Sequence, residues 1–200
     1  MKQYNGDWQD VAAPVVLGAE DGLRLADTQF DDLATTIVGK RLSSSVGKVQ
    51  QDYDELSIVF EPNGNPDSKL DTIGFSLQKM HAIKQDSVAR LHIHWVQKST
   101  HALEFTVRYR IQENGKPKTT AWTGVICPCD STTNAFPYDN SGEMNQITPL
   151  VDIDWSAAGL SSTLQIKITR TDSVSENIEG TFVDVHVEYN ALGSRTEYSK

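Results

Sequence analysis

The stretch LEFTVRYRI, residues 103–111, decides the fold. Leu103, Phe105, Val107, Tyr109 and Ile111 alternate with Glu104, Thr106, Arg108 and Arg110. Period two belongs to a β-strand, which sends successive side chains to opposite faces. One face of this segment is apolar and the other polar, so it is a strand lying on a core. The same rhythm runs outward in both directions. Upstream lie residues 89–97, 72–78 and 56–60, the last running into the turn signal Pro62-Asn63-Gly64-Asn65-Pro66. Downstream, Asn114-Gly115 predicts a tight hairpin turn with residues 118–126 as its return strand. Residues 146–155 and 164–170 follow. Residues 181–189 come last, with Val183, Val185, Val187 and Tyr189 on the core face. Eight or nine short strands without a long amphipathic helix between them predict an all-β, antiparallel sandwich or jelly roll over residues 48–200.

Residues 1–47 hold no such period. Gly6, Pro14, Gly18 and Gly22 interrupt them, and they read as an extended N-terminal arm carrying at most one short helix. The candidate is 29–38, where Phe30, Leu33, Ala34 and Ile37 recur at helical spacing between the cap Thr28 and the stop Gly39. So short a helix needs a surface to lie on, either its own sandwich or a neighbouring subunit. Phe30, Asp31, Asp32, Leu33 and Ile37 are therefore expected docking residues. Arg195, in Leu192-Gly193-Ser194-Arg195, belongs either to a second expected docking element or to a frayed tail.

Composition excludes several classes. At 200 residues the chain can bury a core without disulfide or metal staples. Its net charge of −9 is uneven: residues 1–55 hold five Lys/Arg against ten Asp/Glu. Phosphate backbones would repel it, so no nucleic-acid partner is expected. It has no apolar run of membrane-spanning length, and MKQYNGDWQD lacks the apolar stretch of a secretory signal. No membrane partner and cytoplasmic synthesis are the expectations. Cys127-Pro128-Cys129 is awkward for a disulfide and reads as two free thiols in a reducing compartment.

In LHIHW, residues 91–95, His92 and His94 share the strand face opposite Leu91, Ile93 and Trp95. The last strand turns Phe182, Asp184, His186 and Glu188 outward. Should the two strands be neighbours, His92, His94, His186 and Asp184 would gather as a potential metal-ligating set. Cupin-type barrels pair a His-x-His strand with a nearby Glu, but residues 95–99 contain no carboxylate. The stronger expectation is imidazoles packed on a sheet face or at a subunit interface, with no cofactor. No Gly-x-Ser-x-Gly elbow, Gly-rich phosphate loop or His-Glu-x-x-His motif is present, and a non-enzyme is expected. The four tryptophans, Trp8, Trp95, Trp122 and Trp155, leave open an alternative. Exposed and coplanar, they would make a carbohydrate-binding module aiding host adsorption; buried, they are core.

Several segments taken in order carry a family resemblance: LHIHW (91–95), YRIQENGKPKTTAWT (109–123), LVDIDWSA (150–157), LQIKITRTDS (164–173) and TFVDVHVEYNALGSRTEY (181–198). Together they resemble a group of small tailed-bacteriophage virion proteins with a His-x-His-Trp strand and a closing LGSR segment. The resemblance covers residues 85–198. It implies a non-enzymatic β-sandwich subunit, a capsid decoration, neck or tail-attachment protein, located in the virion. Its implied partners are capsid, neck or tail components, together with further copies of itself as a trimer or ring.

Overall fold

The computed structural model describes residues 2–4, 8–10, 15–18, 22–36, 49–52, 57–68, 71–80, 82–84, 86–129 and 144–191, with side chains in 57–68, 71–80, 82–84, 86–129 and 145–189. All regular structure among them is β. The strands are β1 (Lys2–Tyr4), β2 (Trp8–Asp10), β3 (Val15–Gly18), β4 (Gly22–Thr36), β5 (Val49–Asp52), β6 (Ser57–Phe60) and β7 (Ile73–Gln78). They continue with β8 (Ala89–Gln97), β9 (Leu103–Gln112), β10 (Thr123–Cys129), β11 (Met144–Ile147), β12 (Val151–Ile153), β13 (Thr163–Arg170) and β14 (Ile178–Ala191).

Two antiparallel sheets make the sandwich. The smaller runs β10-β9-β13-β7. The larger runs β11-β8-β14-β4-β3, with β12 also on β8, β6 on β14 and β5 on β6. Separately, β1 pairs with β2. The alternation read from the sequence sets the two faces. Leu103, Phe105 and Val107 of β9, Leu164, Ile166 and Ile168 of β13, Leu91, Ile93 and Trp95 of β8, and Val183, Val185 and Val187 of β14 are all buried. Phe105 bridges the layers, meeting Trp95 at 5.6 Å and Phe60 at 5.9 Å, edge to face in both cases. The Trp95 indole N–H donates to Gln97 Oε1 at 3.0 Å, and Gln97 in turn donates to the His101 carbonyl at 2.8 Å. The ring is thus buried without an orphaned donor.

Three expectations are corrected. Residues 29–36 are strand, not helix: they form the end of β4, with Leu33 opposite Val185 and Asp32 opposite His186 on β14. A ten-residue helix is marginal on its own, whereas the flank of β14 offers a full row of backbone partners. Asn114-Gly115 lies in a turn, where Lys116 N–H donates to the Glu113 carbonyl and Gly115 has φ +73°. The hairpin around it is wider than two residues, however, and the return strand starts at Thr123, opposite Tyr109. Gln112 explains the width, since its side-chain amide takes both backbone groups of Thr119 at 2.8 and 3.1 Å and closes the loop. Finally, 146–155 is two strands, β11 and β12, both on β8. Pro149 lies in the gap and has no N–H to give to a ladder. Of the docking residues, Phe30, Asp31, Asp32 and Leu33 lie in β4, their side chains not among those described; Ile37 and Arg195 lie outside the described residues.

Two buried cations close the sandwich at opposite ends of β13. Arg170, 1% exposed, is bidentate to Asp172 at 2.8 and 2.9 Å. It also donates to the carbonyls of Phe60 at 3.1 Å, Val174 at 2.9 Å and Glu176. Asp172 also accepts from the backbone N–H groups of Glu104 and Val174. Gly64 packs directly on this hub: its N–H donates to the Arg170 carbonyl at 2.9 Å, and a Cβ there would lie 2.5 Å from that oxygen. At the other end, Lys79 is fully buried and donates to the carbonyls of Trp155 and Ala158, both at 3.1 Å. Removing one member of a buried, hydrogen-bonded ion pair strands the other, at a cost of about 3–5 kcal/mol. Arg170→Ala is therefore expected to lower unfolding free energy by that order in urea titration. A loss below about 1 kcal/mol, the scale of a surface pair, would show that the hub does not hold the sheets together.

Candidate functional site

The outward face of the larger sheet gathers the residues singled out from the sequence. β8 and β14 are neighbours, with Asp184 opposite His92, Phe182 opposite His94 and His186 opposite Arg90. The alternation that sends Leu91, Ile93, Trp95, Val183, Val185 and Val187 into the core turns His92, His94, Asp184 and His186 to this side. Continuing across the sheet, Asp152 of β12 faces Arg90, with their charges 3.4 Å apart, and Ile147 of β11 stands opposite His94.

Asp184 sits at the centre and is 8% exposed. Its two oxygens face two imidazoles: His94 Nε2 lies 3.5 Å from Oδ1, and His186 Nε2 lies 3.6 Å from Oδ2. Both distances exceed those of a charge-assisted hydrogen bond. His94 Nε2 and Asp184 Oδ1 are shielded from solvent and make no hydrogen bond among the described residues. The rings pack on one another edge to face, His92 to His186 at 4.8 Å and His92 to His94 at 6.4 Å, with Phe182 on His94 at 5.5 Å. Among the described residues no group of three or more His, Cys, Asp or Glu is arranged to hold a metal ion.

Thr148 fixes the orientation of His92, a role the sequence reading missed. Where the strand breaks between β11 and β12, Thr148 N–H donates to the Ile93 carbonyl at 3.0 Å, and its hydroxyl accepts from Ile93 N–H at 3.0 Å. Its carbonyl lies 2.7 Å from His92 Nδ1, and since a carbonyl can only accept, that nitrogen carries the proton. Burial pushes the His92 pKa below its ordinary value, and His186 and His94 push the same way against the raising effects of the Thr148 carbonyl and Asp184.

The remaining candidates scatter. Trp95 and Trp155 are core, Trp122 is half-buried on the other sheet, and the Trp8 side chain is not among those described. Cys127 and Cys129 are buried thiols, turned inward from β10 with sulfurs 3.9 Å apart. His101 is exposed, and its Nδ1 lies 2.9 Å from Ser99 Oγ. Asp152 and Asp154 are exposed.

No protein-family model matches the chain, and no curated protein matches it in sequence. Among solved structures it is similar to a xylan-binding module, CBM15, at 10% identity and a TM-score of 0.44, over 83% of this chain and 99% of that one.

A histidine whose folded pKa is depressed contributes stability that is present above its unfolded value, near 6.5. That contribution is lost as pH falls through the folded value. His92 is expected to titrate below 6.5 in NMR, and His92→Gln to flatten part of the decline in urea midpoint between pH 7 and pH 5. A His92 pKa at or above 6.5 would contradict the burial argument.

Proposed function

We propose that the protein is a non-enzymatic structural subunit of a tailed-bacteriophage particle, docked in multiple copies through the outer face of its larger sheet. Its partners in this reading are capsid, neck or tail components and further copies of itself. Two of the segments that carry the family resemblance, 91–95 and the start of 181–198, are hydrogen-bonded neighbours, and their outward residues form one patch.

The observation that carries the proposal is the facing pair of atoms His94 Nε2 and Asp184 Oδ1, 3.5 Å apart and shielded from water, neither with a hydrogen bond among the described residues. Buried polar atoms are ordinarily satisfied, and leaving one unsatisfied costs about 1–3 kcal/mol. A partner docked on this face would press the two groups, 3.5 Å apart in the free chain, into a direct charge-assisted hydrogen bond.

The test separates docking from folding. Replacing both members of such a pair with apolar groups is close to neutral for the isolated fold. The double variant His94→Leu, Asp184→Leu is therefore expected to remain soluble and folded by circular dichroism. Its occupancy in purified particles, measured by quantitative mass spectrometry, is expected to fall by about tenfold or more, which corresponds to roughly 1.4 kcal/mol of docking energy. Undiminished occupancy of the variant would refute docking through this face. Absence of the unaltered protein from purified particles would refute the particle role itself.

A further inference from the structure

The outward face of the smaller sheet carries a different cluster. Trp122 immediately precedes β10, whose first residue, Thr123, pairs with Tyr109 of β9. Its indole does not turn into the core. It lies across the sheet surface, with the Arg110 guanidinium carbon 4.4 Å and the Lys167 ammonium 4.3 Å from the ring centroid. Arg110 stands opposite Gln165 on β13, and its Nε donates to the Gln165 side-chain oxygen at 2.7 Å. Next to this, β7 presents Gly74, Ser76 and Gln78, all exposed and none bulky enough to wall off the indole. Lys116 and Lys118 stand exposed in the loop leading to Trp122.

The charge here runs against the rest of the molecule. In a chain of net charge −9, Arg110 and Lys167 converge on one indole, with two further lysines in the adjoining loop. Asp67 pairs with Arg108 and also feels Lys167, and Glu113 stands exposed in the loop. Arg110 bonds a neutral amide. Anchoring the loop does not account for the arrangement, because Gln112 already closes it through Thr119.

We infer that this face is a binding site for an acidic saccharide, a hexose unit carrying a carboxylate. The indole offers a flat apolar contact to the C–H face of a pyranose. A guanidinium matches a carboxylate in shape and charge, and an ammonium adds a point charge beside it. Gln165, Ser76 and Gln78 supply amide and hydroxyl groups for ring hydroxyls. Single-stranded nucleic acid would also stack and pair charge, but it is gripped by successive aromatic platforms and a continuous basic groove. Trp122 is the only aromatic among the described residues on this outer face, and the chain as a whole repels polyphosphate. The site stands apart from the histidine face and does not depend on the particle role.

The test uses the full chain titrated with galacturonate and glucuronate oligomers, with neutral oligomers of the same length, and with oligodeoxythymidylate. The Trp122 indole N–H resonance is followed in the unaltered chain and in Arg110→Gln, and titration calorimetry gives the affinity of every variant. The acidic saccharides are expected to shift that resonance and to bind about tenfold or more tighter than the neutral ones. Arg110→Gln and Trp122→Ala are each expected to weaken binding to a similar degree, with circular dichroism unchanged. Should Trp122→Ala fail to fold, Trp122→Phe and Arg110→Gln decide the matter: retained binding in the first and weakened binding in the second support the site. Four results would each overturn it: no shift with either uronate, equal affinity for neutral oligomers, binding unaffected in Arg110→Gln, or tighter binding of the oligonucleotide.

Discussion

The sandwich depends on how its two sheets are closed at their ends, and there the fastener is a buried cation. Apolar packing holds the centre, where Phe105 meets Trp95 and Phe60 across the layers. Such packing is non-directional and does not itself fix where the chain leaves one sheet for the other. Arg170 and Lys79 supply that direction. An arginine has five donors in a rigid fork. Arg170 directs all of them to Asp172 and to the carbonyls of Phe60, Val174 and Glu176, so β13 is tied to β6 and to the passage into β14. Through Asp172 it also holds Glu104 at the start of β9. Lys79 does the corresponding work at the far end, between β7 and the segment after β12. Sheet order alone would leave these crossings loose.

Once the core is closed, the outward faces are set by parity. On β8 and β14 the core takes every second residue, and the others have no freedom to turn elsewhere. His92, His94, Asp184 and His186 therefore meet because Leu91, Ile93, Val183 and Val185 are held inside. Parity gathers the imidazoles but does not satisfy them. Thr148 completes His92, whereas His94 Nε2 and Asp184 Oδ1 receive no hydrogen bond among the described residues. In the proposed docking that asymmetry matters: the finished contact orients His92, and the unfinished pair is the one a partner would tighten.

Much of this was legible in the sequence, and the failures have physical causes. Period two located β8, β9 and β13 and assigned their inner faces, because a half-buried strand imposes its pattern residue by residue. Parity also named the four members of the histidine face. Hydrogen bonding beyond the strand was not legible. Residues 29–36 carry a helical spacing of apolar residues, and only the available flank of β14 decides that they extend instead. Thr148 has no signature of its own, since its role comes from the strand interruption at Pro149 and from the register of β8 against β11 and β12. The sequence leaves Trp122 open between core and surface, and its neighbours Arg110 and Lys167 are 12 and 45 residues away, joined only by the pairing of β9 with β13.

The two outer faces therefore divide the chemistry of the molecule. Both are cut from alternating strands, yet one ends in imidazoles around a carboxylate and the other in cations around an indole. The core restricts neither choice, because a side chain directed outward is free to vary while its neighbours hold the sheet. A sandwich with this division can be fixed to an assembly on one side and still offer its opposite surface to a ligand. The two faces lie on different sheets, so occupation of one leaves the other open. In the proposed particle, docking through the histidine face would turn Trp122 and its cations toward the solvent.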